Sequence, residues 1–187
     1  MILQHFLPGP TDWRFVTSSG GDISFGLSEL VNVGGATGEL HVREGDGPVI
    51  RLQYVGVKAG LGVGVSLLGP VSGSFSLASF PGGGIGRIYK GPTAGARLSL
   101  NDMKGHFAML NFASGLGGAS YVSVVLLGLP VSPLSFGPFG QVATLLAKGA
   151  GVLFGGCASS SFSIEANSTM GTIVGAFFGD GLEVGGN

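Results

Sequence analysis

Asp102, Lys104 and His106 occupy alternate positions at the border of the most apolar part of the chain. An imidazole beside a carboxylate is the usual arrangement of a general base and the group that orients it. Residues two apart share one face of a strand. His106 with Asp102 is therefore the candidate catalytic pair, suited to a small hydrolase or lyase with an apolar pocket. The plainer reading, a structural cluster at a polar rim, is preferred, because no G-x-S-x-G elbow accompanies the pair. His41 lies on a polar strand face near Arg43 and reads as a solvated side chain. The chain leans away from catalysis.

Gly60-Leu61-Gly62-Val63-Gly64 and Gly82-Gly83-Gly84-Ile85-Gly86 have the glycine density of phosphate-binding loops. Neither completes G-x-G-x-x-G ahead of a helix, and G-x-x-x-x-G-K-[ST] does not occur, so no cofactor is expected. Neither H-E-x-x-H nor an EF-hand pattern is present, and the single Cys157 excludes an intrachain disulfide and a Cys-rich zinc centre. No metal is expected. A net charge of −1 without any Lys/Arg run argues against a nucleic-acid partner. Arg87, Lys90 and Arg97, around Tyr89, form the densest basic group. They suit anionic lipid head groups or the soluble rim of a barrel mouth.

These side chains need a scaffold, and composition narrows its kind. Glycine supplies 38 of 187 residues, roughly three times the usual share, with no collagen period. The chain is nonetheless 44% hydrophobic and only 10% charged, and its mean hydropathy is +0.52. That composition can bury a core, so disorder is the poorer reading. The length fits a single domain over 1–187. Residues 1–21 read as an irregular opening segment around a short strand at 13–17, and 179–187 as a tail. Met1 to Pro8 carry no basic leader and too short an apolar run for a secretory signal. Cytoplasmic synthesis is the expectation, followed by membrane association or signal-independent export, with the compartment itself unknown.

The dominant pattern has period two. From Val55 to Leu67 every odd position is apolar and every even one is Gly, Lys or Ser, which predicts a strand with one greasy face. Before it, Ile50, Leu52 and Tyr54 are apolar in the opposite phase. A one-residue slip of this kind predicts a β-bulge at Tyr54 to Gly56. Val71, Phe75 and Leu77 alternate with serines after the Gly69-Pro70 turn, predicting a hairpin with the preceding arm. Gly105 to Phe112 is apolar on both faces and predicts a strand buried on both sides. Val142, Leu145, Leu146, Gly149, Val152 and Leu153 follow helical spacing and predict one short packed helix over about 141–154.

Together these elements predict a mainly-β fold, an antiparallel β-barrel or two-layer sandwich of roughly 8 to 10 strands. From Phe107 to Ile164 the only charged residue is Lys148, so a large apolar area must be covered. The function this favours is a non-enzymatic protein that meets a membrane or another hydrophobic ligand through amphipathic Gly/Ser-rich hairpins. The contacting residues would be Val57, Leu61, Val63, Val65, Phe75 and Leu77. The alternative is a soluble assembly subunit whose apolar face is buried in a homo-oligomer or against a carrier protein.

Overall fold

The computed structural model describes residues 9–26, 31–65, 85–115, 119–132, 146–157 and 162–179. Among them run eight strands: β1 (Gly9–Gly26), β2 (Val31–Glu44), β3 (Ile50–Val65), β4 (Ile85–Lys90), β5 (Gly105–Gly115), β6 (Ala119–Leu129), β7 (Gly149–Cys157) and β8 (Phe162–Phe178). One short helix, α1 (Leu100–Met103), precedes β5. The strands close into a barrel in the order β1-β2-β3-β8-β5-β6-β7-β4, every neighbouring pair antiparallel. Of the two expected architectures, the chain adopts the barrel.

Following register partners once round the wall leads from Val33 through Ala59, Ser168, Leu110, Val124, Val152, Arg87 and Arg14 to Arg43, ten residues further along β2. Such a stagger tilts the strands by about 35–45°, and eight strands leave an interior just wide enough for side chains to fill.

The lower end, where Gly9 begins β1 and Gly179 donates to the Val49 carbonyl, is packed solid. Phe15, Leu40, Leu52, Ile88, Phe107 and Leu127 point inward and are at most 2% exposed. Tyr54 and Phe107 pack with ring centroids 5.0 Å apart. The segment between β4 and β5 closes the floor. Its Leu98 and Met103 join the core, and the Leu98 carbonyl accepts from Trp13 Nε1 at 2.9 Å.

Several expectations are corrected. Residues 9–21 are not an irregular opening but part of β1, where Gly20 and Gly21 stay in the ladder opposite Gly38 and Thr37. Residues 149–154 are strand, not helix. Gly149 and Gly151 stand inward in β7, and a Cβ on Gly151 would come within 2.6 Å of the Phe15 ring. These glycines are spaces for neighbouring side chains, which a helical reading of the same spacing misses. Residues 141–145, like Phe75 and Leu77, lie outside the described residues.

β2 and β8 occupy both edges of β3 from Ile50 to Leu61, and the turn and second arm of the expected hairpin lie outside the described residues. β3 does not bulge at Tyr54. Its pairing with β2 runs unbroken from Ile50 to Leu61. The extra residue belongs to the partner strand, since Gln53 faces Gly175 and Tyr54 faces Ile173, which leaves Val174 over. β5 is not buried on both sides either, for Leu110 and Phe112 are exposed.

Candidate functional site: two faces of one barrel wall

Because β3 keeps its register, its side chains keep alternating, and what changes at Tyr54 is the chemistry of each face. Leu52 and Tyr54 point inward and are buried; Gly56 and Lys58 follow on the same face, with Lys58 only 6% exposed. Outward, Arg51 and Gln53 give way to the exposed Val55, Val57 and Ala59. The phase slip in the sequence is an exchange of inside for outside.

The exchange extends across the wall. Three alternate rows of register partners run over β3, β8, β5, β6 and β7: Val57, Met170, Ala108, Leu126, Ala150; then Ala59, Ser168, Leu110, Val124, Val152; then Leu61, Ala166, Phe112, Val122, Phe154, and Val57, Ala59, Leu110, Phe112 and Phe154 among them are exposed. One member, Ser168, is polar. The row of partners between the second and third holds Gly60, Asn167, Asn111, Ser123 and Leu153. Of that row only the Ser123 side chain is described; it is fully buried, and its hydroxyl has no protein partner.

The outer rows are uncovered where they rise. Phe112 is 53% and Phe154 56% exposed. Lower down, Leu126 and Leu129 are covered by Ala147. Gly56 marks the seam between the two chemistries. It pairs with Gly171, and a Cβ at Gly56 would strike the Met170 carbonyl. The bare face of β3 is therefore bare, at this position, because the β8 backbone lies against it.

Below these rows the outer face is polar and gathers around Glu39, although the Arg51 Nε–H is buried without a hydrogen-bond partner among the described residues. His41 Nε2 lies 3.0 Å from Glu39 Oε2, Gln53 donates to Glu39 Oε1 at 3.1 Å, and Arg51 stands 3.8 Å from the same carboxylate. Burial works to raise the Glu39 carboxyl, but the bonds from His41 and Gln53 and the Arg51 charge outweigh it and hold Glu39 below the usual glutamate range. His41, expected to be simply solvated, is part of this collar.

The candidate catalytic pair is not assembled. His106 stands on the wall with Nδ1 3.0 Å from Thr172 Oγ1. Asp102 belongs to α1, not to a strand face shared with His106. It closes a capping box by accepting from the Ser99 hydroxyl at 2.7 Å and the Ser99 N–H at 3.0 Å, and it pairs with Lys148 at 3.1 Å. The Ser99 hydroxyl bond, against the opposing effect of burial and with help from the Ser99 N–H and Lys148, holds Asp102 below the usual aspartate range. Each group is engaged with a structural partner.

The basic candidates separate in the same way. Lys90 donates to the Gly95 carbonyl at 3.1 Å, and Arg97 stands 3.6 Å from Glu44. Both line a cleft of about 330 Å³ between the start of β1 and the 94–98 segment. Arg87 projects outward from β4 and is exposed. Of the expected hydrophobic contacts, Val57 is outward and exposed. Leu61, Val63 and Val65 lie on the described backbone of β3, while their side chains lie outside what is described. Sequence reasoning missed Leu110, Phe112 and Phe154 as surface residues, because an apolar run without alternation does not announce an outward face.

No group of three or more His, Cys, Asp or Glu residues that could hold a metal occurs among the described residues. No helix of the described residues is long and apolar enough to cross a membrane, which leaves strands untested. The chain matches no family model, and no curated protein or solved structure matches it.

Proposed function

We propose that the protein is a non-enzymatic, membrane-associating barrel that sets the outer face of its upper half into lipid and keeps its lower half in water. The observation that carries this reading is the inversion along β3, where an unbroken register passes from Arg51 and Gln53 outside to Val55, Val57 and Ala59 outside. An apolar exterior over an interior that takes in Lys58, Thr169 and Ser123 beside Met109 and Val125 resembles the pattern of strands that face lipid, whose second face turns polar.

Two further properties support it. A closed wall pairs its backbone groups between neighbours, which hydrocarbon demands of any strand it surrounds. β5 and β6 are 11 residues long and β7 is 9, within the about 9–11 that a tilted strand needs to cross a bilayer core. Each half-exposed Val, Leu or Phe moved out of water contributes on the order of 1 kcal/mol. Eight strands around a filled interior leave no wide channel, so association without leakage is expected.

Vesicle flotation combined with dye release tests this. The full chain is expected to float with vesicles while the trapped dye stays inside. Phe112→Lys puts a charge on the belt, which costs about 2–4 kcal/mol near the bilayer centre. Its vesicle affinity is expected to drop at least about tenfold at an unchanged melting temperature. A wild-type protein that binds neither neutral nor anionic vesicles excludes the proposal. Should light scattering then show a stable oligomer, the belt is instead the interface of an assembly subunit.

A further inference from the structure

Three arginines stand side by side on the outer face of adjacent strands. The register sets Arg87 of β4 opposite Arg14 of β1, and Arg14 opposite Arg43 of β2. Like charges directly opposite one another weaken an antiparallel pair. The nearby carboxylates answer little of this charge. Asp46 reaches Arg14 Nη2 at 3.5 Å from a fully exposed position, and Glu44 is engaged with Arg97. Asp12, two residues below Arg14, makes no ion pair among the described residues, and neither do Arg43 and Arg87. The Arg43 Nε–H is shielded from water and has no hydrogen-bond partner. Arg14 Nη2 also donates to the Gly45 carbonyl at 2.9 Å, so Arg43 and Arg87 are the members of the row whose charge meets no ion-pair partner among the described residues.

The position of the row says which anion. Round the barrel, the outward row Leu110, Val124, Val152 of the apolar belt runs directly into Arg87, Arg14 and Arg43. Tyr89 is exposed two residues from Arg87. Aromatic side chains at the edge of an apolar belt are characteristic of the level of lipid head groups. Guanidinium forks bind phosphate oxygens in pairs, with a geometry that lysine lacks.

We infer that Arg87, Arg14 and Arg43 form a head-group site for anionic phospholipids, occupied when the belt enters lipid. The inference rests on the membrane reading above and adds a lipid class to it. It also extends the anion contact expected at Arg87 to its register partners Arg14 and Arg43, in place of Lys90 and Arg97, which lie off this row.

Flotation of the full chain is compared on phosphatidylcholine vesicles and on vesicles with about a third phosphatidylglycerol, for wild type, Arg87→Gln and Arg14→Gln/Arg87→Gln. Wild type is expected to prefer the anionic vesicles by about tenfold or more. The preference should shrink as salt rises from about 0.1 M to about 0.5 M. Arg87→Gln, which loses no ion pair among the described residues, should remove about threefold to fivefold of the preference. The double variant should bind both compositions alike, with neutral-vesicle affinity unchanged. Equal wild-type binding to both compositions, or full preference retained in the variants, overturns the inference and leaves the membrane reading standing. Binding to neither composition overturns both.

Discussion

The lower and upper halves of the barrel are made from the same strands and solve opposite problems. Below Tyr54 the interior is packed with Phe107, Leu52 and Leu40, and the exterior carries the Glu39, His41, Arg51 and Gln53 collar. Above it the described interior admits Lys58, Thr169 and Ser123 beside Met109 and Val125, and the exterior carries Val57, Leu110, Phe112 and Phe154. A barrel with one solvent outside needs only the lower arrangement. The upper one fits the proposal that something apolar replaces water around the wall. Alternation along a strand reports that two faces differ, and only closure of the wall says which of them is the inside.

The comparison breaks most readily in the lower core. Phe107→Ala is expected to cost about 3–5 kcal/mol, since it empties a fully buried site. Phe112→Ala, five residues along the same strand but exposed, should stay within about 0.5 kcal/mol in buffer. Urea unfolding of both variants checks this. Equal losses would mean that Phe112 is covered in solution and that the belt is already occupied.

The seam comes next. Gly56→Ala drives a Cβ into the Met170 carbonyl and is expected to destabilise by about 1–3 kcal/mol, read as a lowered denaturation midpoint. An unchanged midpoint would show that β3 and β8 can part there, and that the two halves are less rigidly joined than the Gly56–Gly171 pairing implies.

A smaller effect, confined to the lower half, is expected at α1. Asp102→Asn loses part of the capping box and the Lys148 pair, worth about 0.5–2 kcal/mol for the cap; the pair adds little, because Lys148 is 41% exposed. Asp102 is held below the ordinary aspartate range. Its contribution is therefore fully present above that range and is lost as pH falls through the lowered folded-state value, below about pH 4. The wild-type stability curve should fall more steeply there than that of Asp102→Asn. Parallel acid limbs would show that the carboxylate contributes nothing through its charge.

The smallest effect is expected at Arg97, whose pair with Glu44 is largely exposed. Arg97→Ala should leave the melting temperature unchanged and should also leave the anionic-vesicle preference intact, in contrast to Arg87→Gln. A loss of preference at Arg97 would extend the head-group site down to the cleft.

Much of the wall was legible in the chain. Isolated runs such as Leu40 and Val42 against His41 and Arg43 are strands in both readings, because the side-chain period of a strand is fixed by its backbone. The inversion at Tyr54 was visible as well, although a slipped phase and an exchanged solvent produce the same string of letters. β7 was misread because glycines at helical spacing also suit a strand that must clear Phe15 and Ile88. Asp102 and His106 looked paired because strand spacing was assumed through a turn of helix.

What the sequence determined by itself is local: the β class, the alternation, the poverty of charge, and the position along β3 where the apolar residues change phase. The tertiary structure decided which face of that alternation is enclosed, because enclosure belongs to the closed wall and not to any strand. It also decided that Arg14, Arg43 and Arg87, far apart along the chain, stand in one row. Register across a barrel is set by the packing of its interior, and no stretch of sequence read alone contains it.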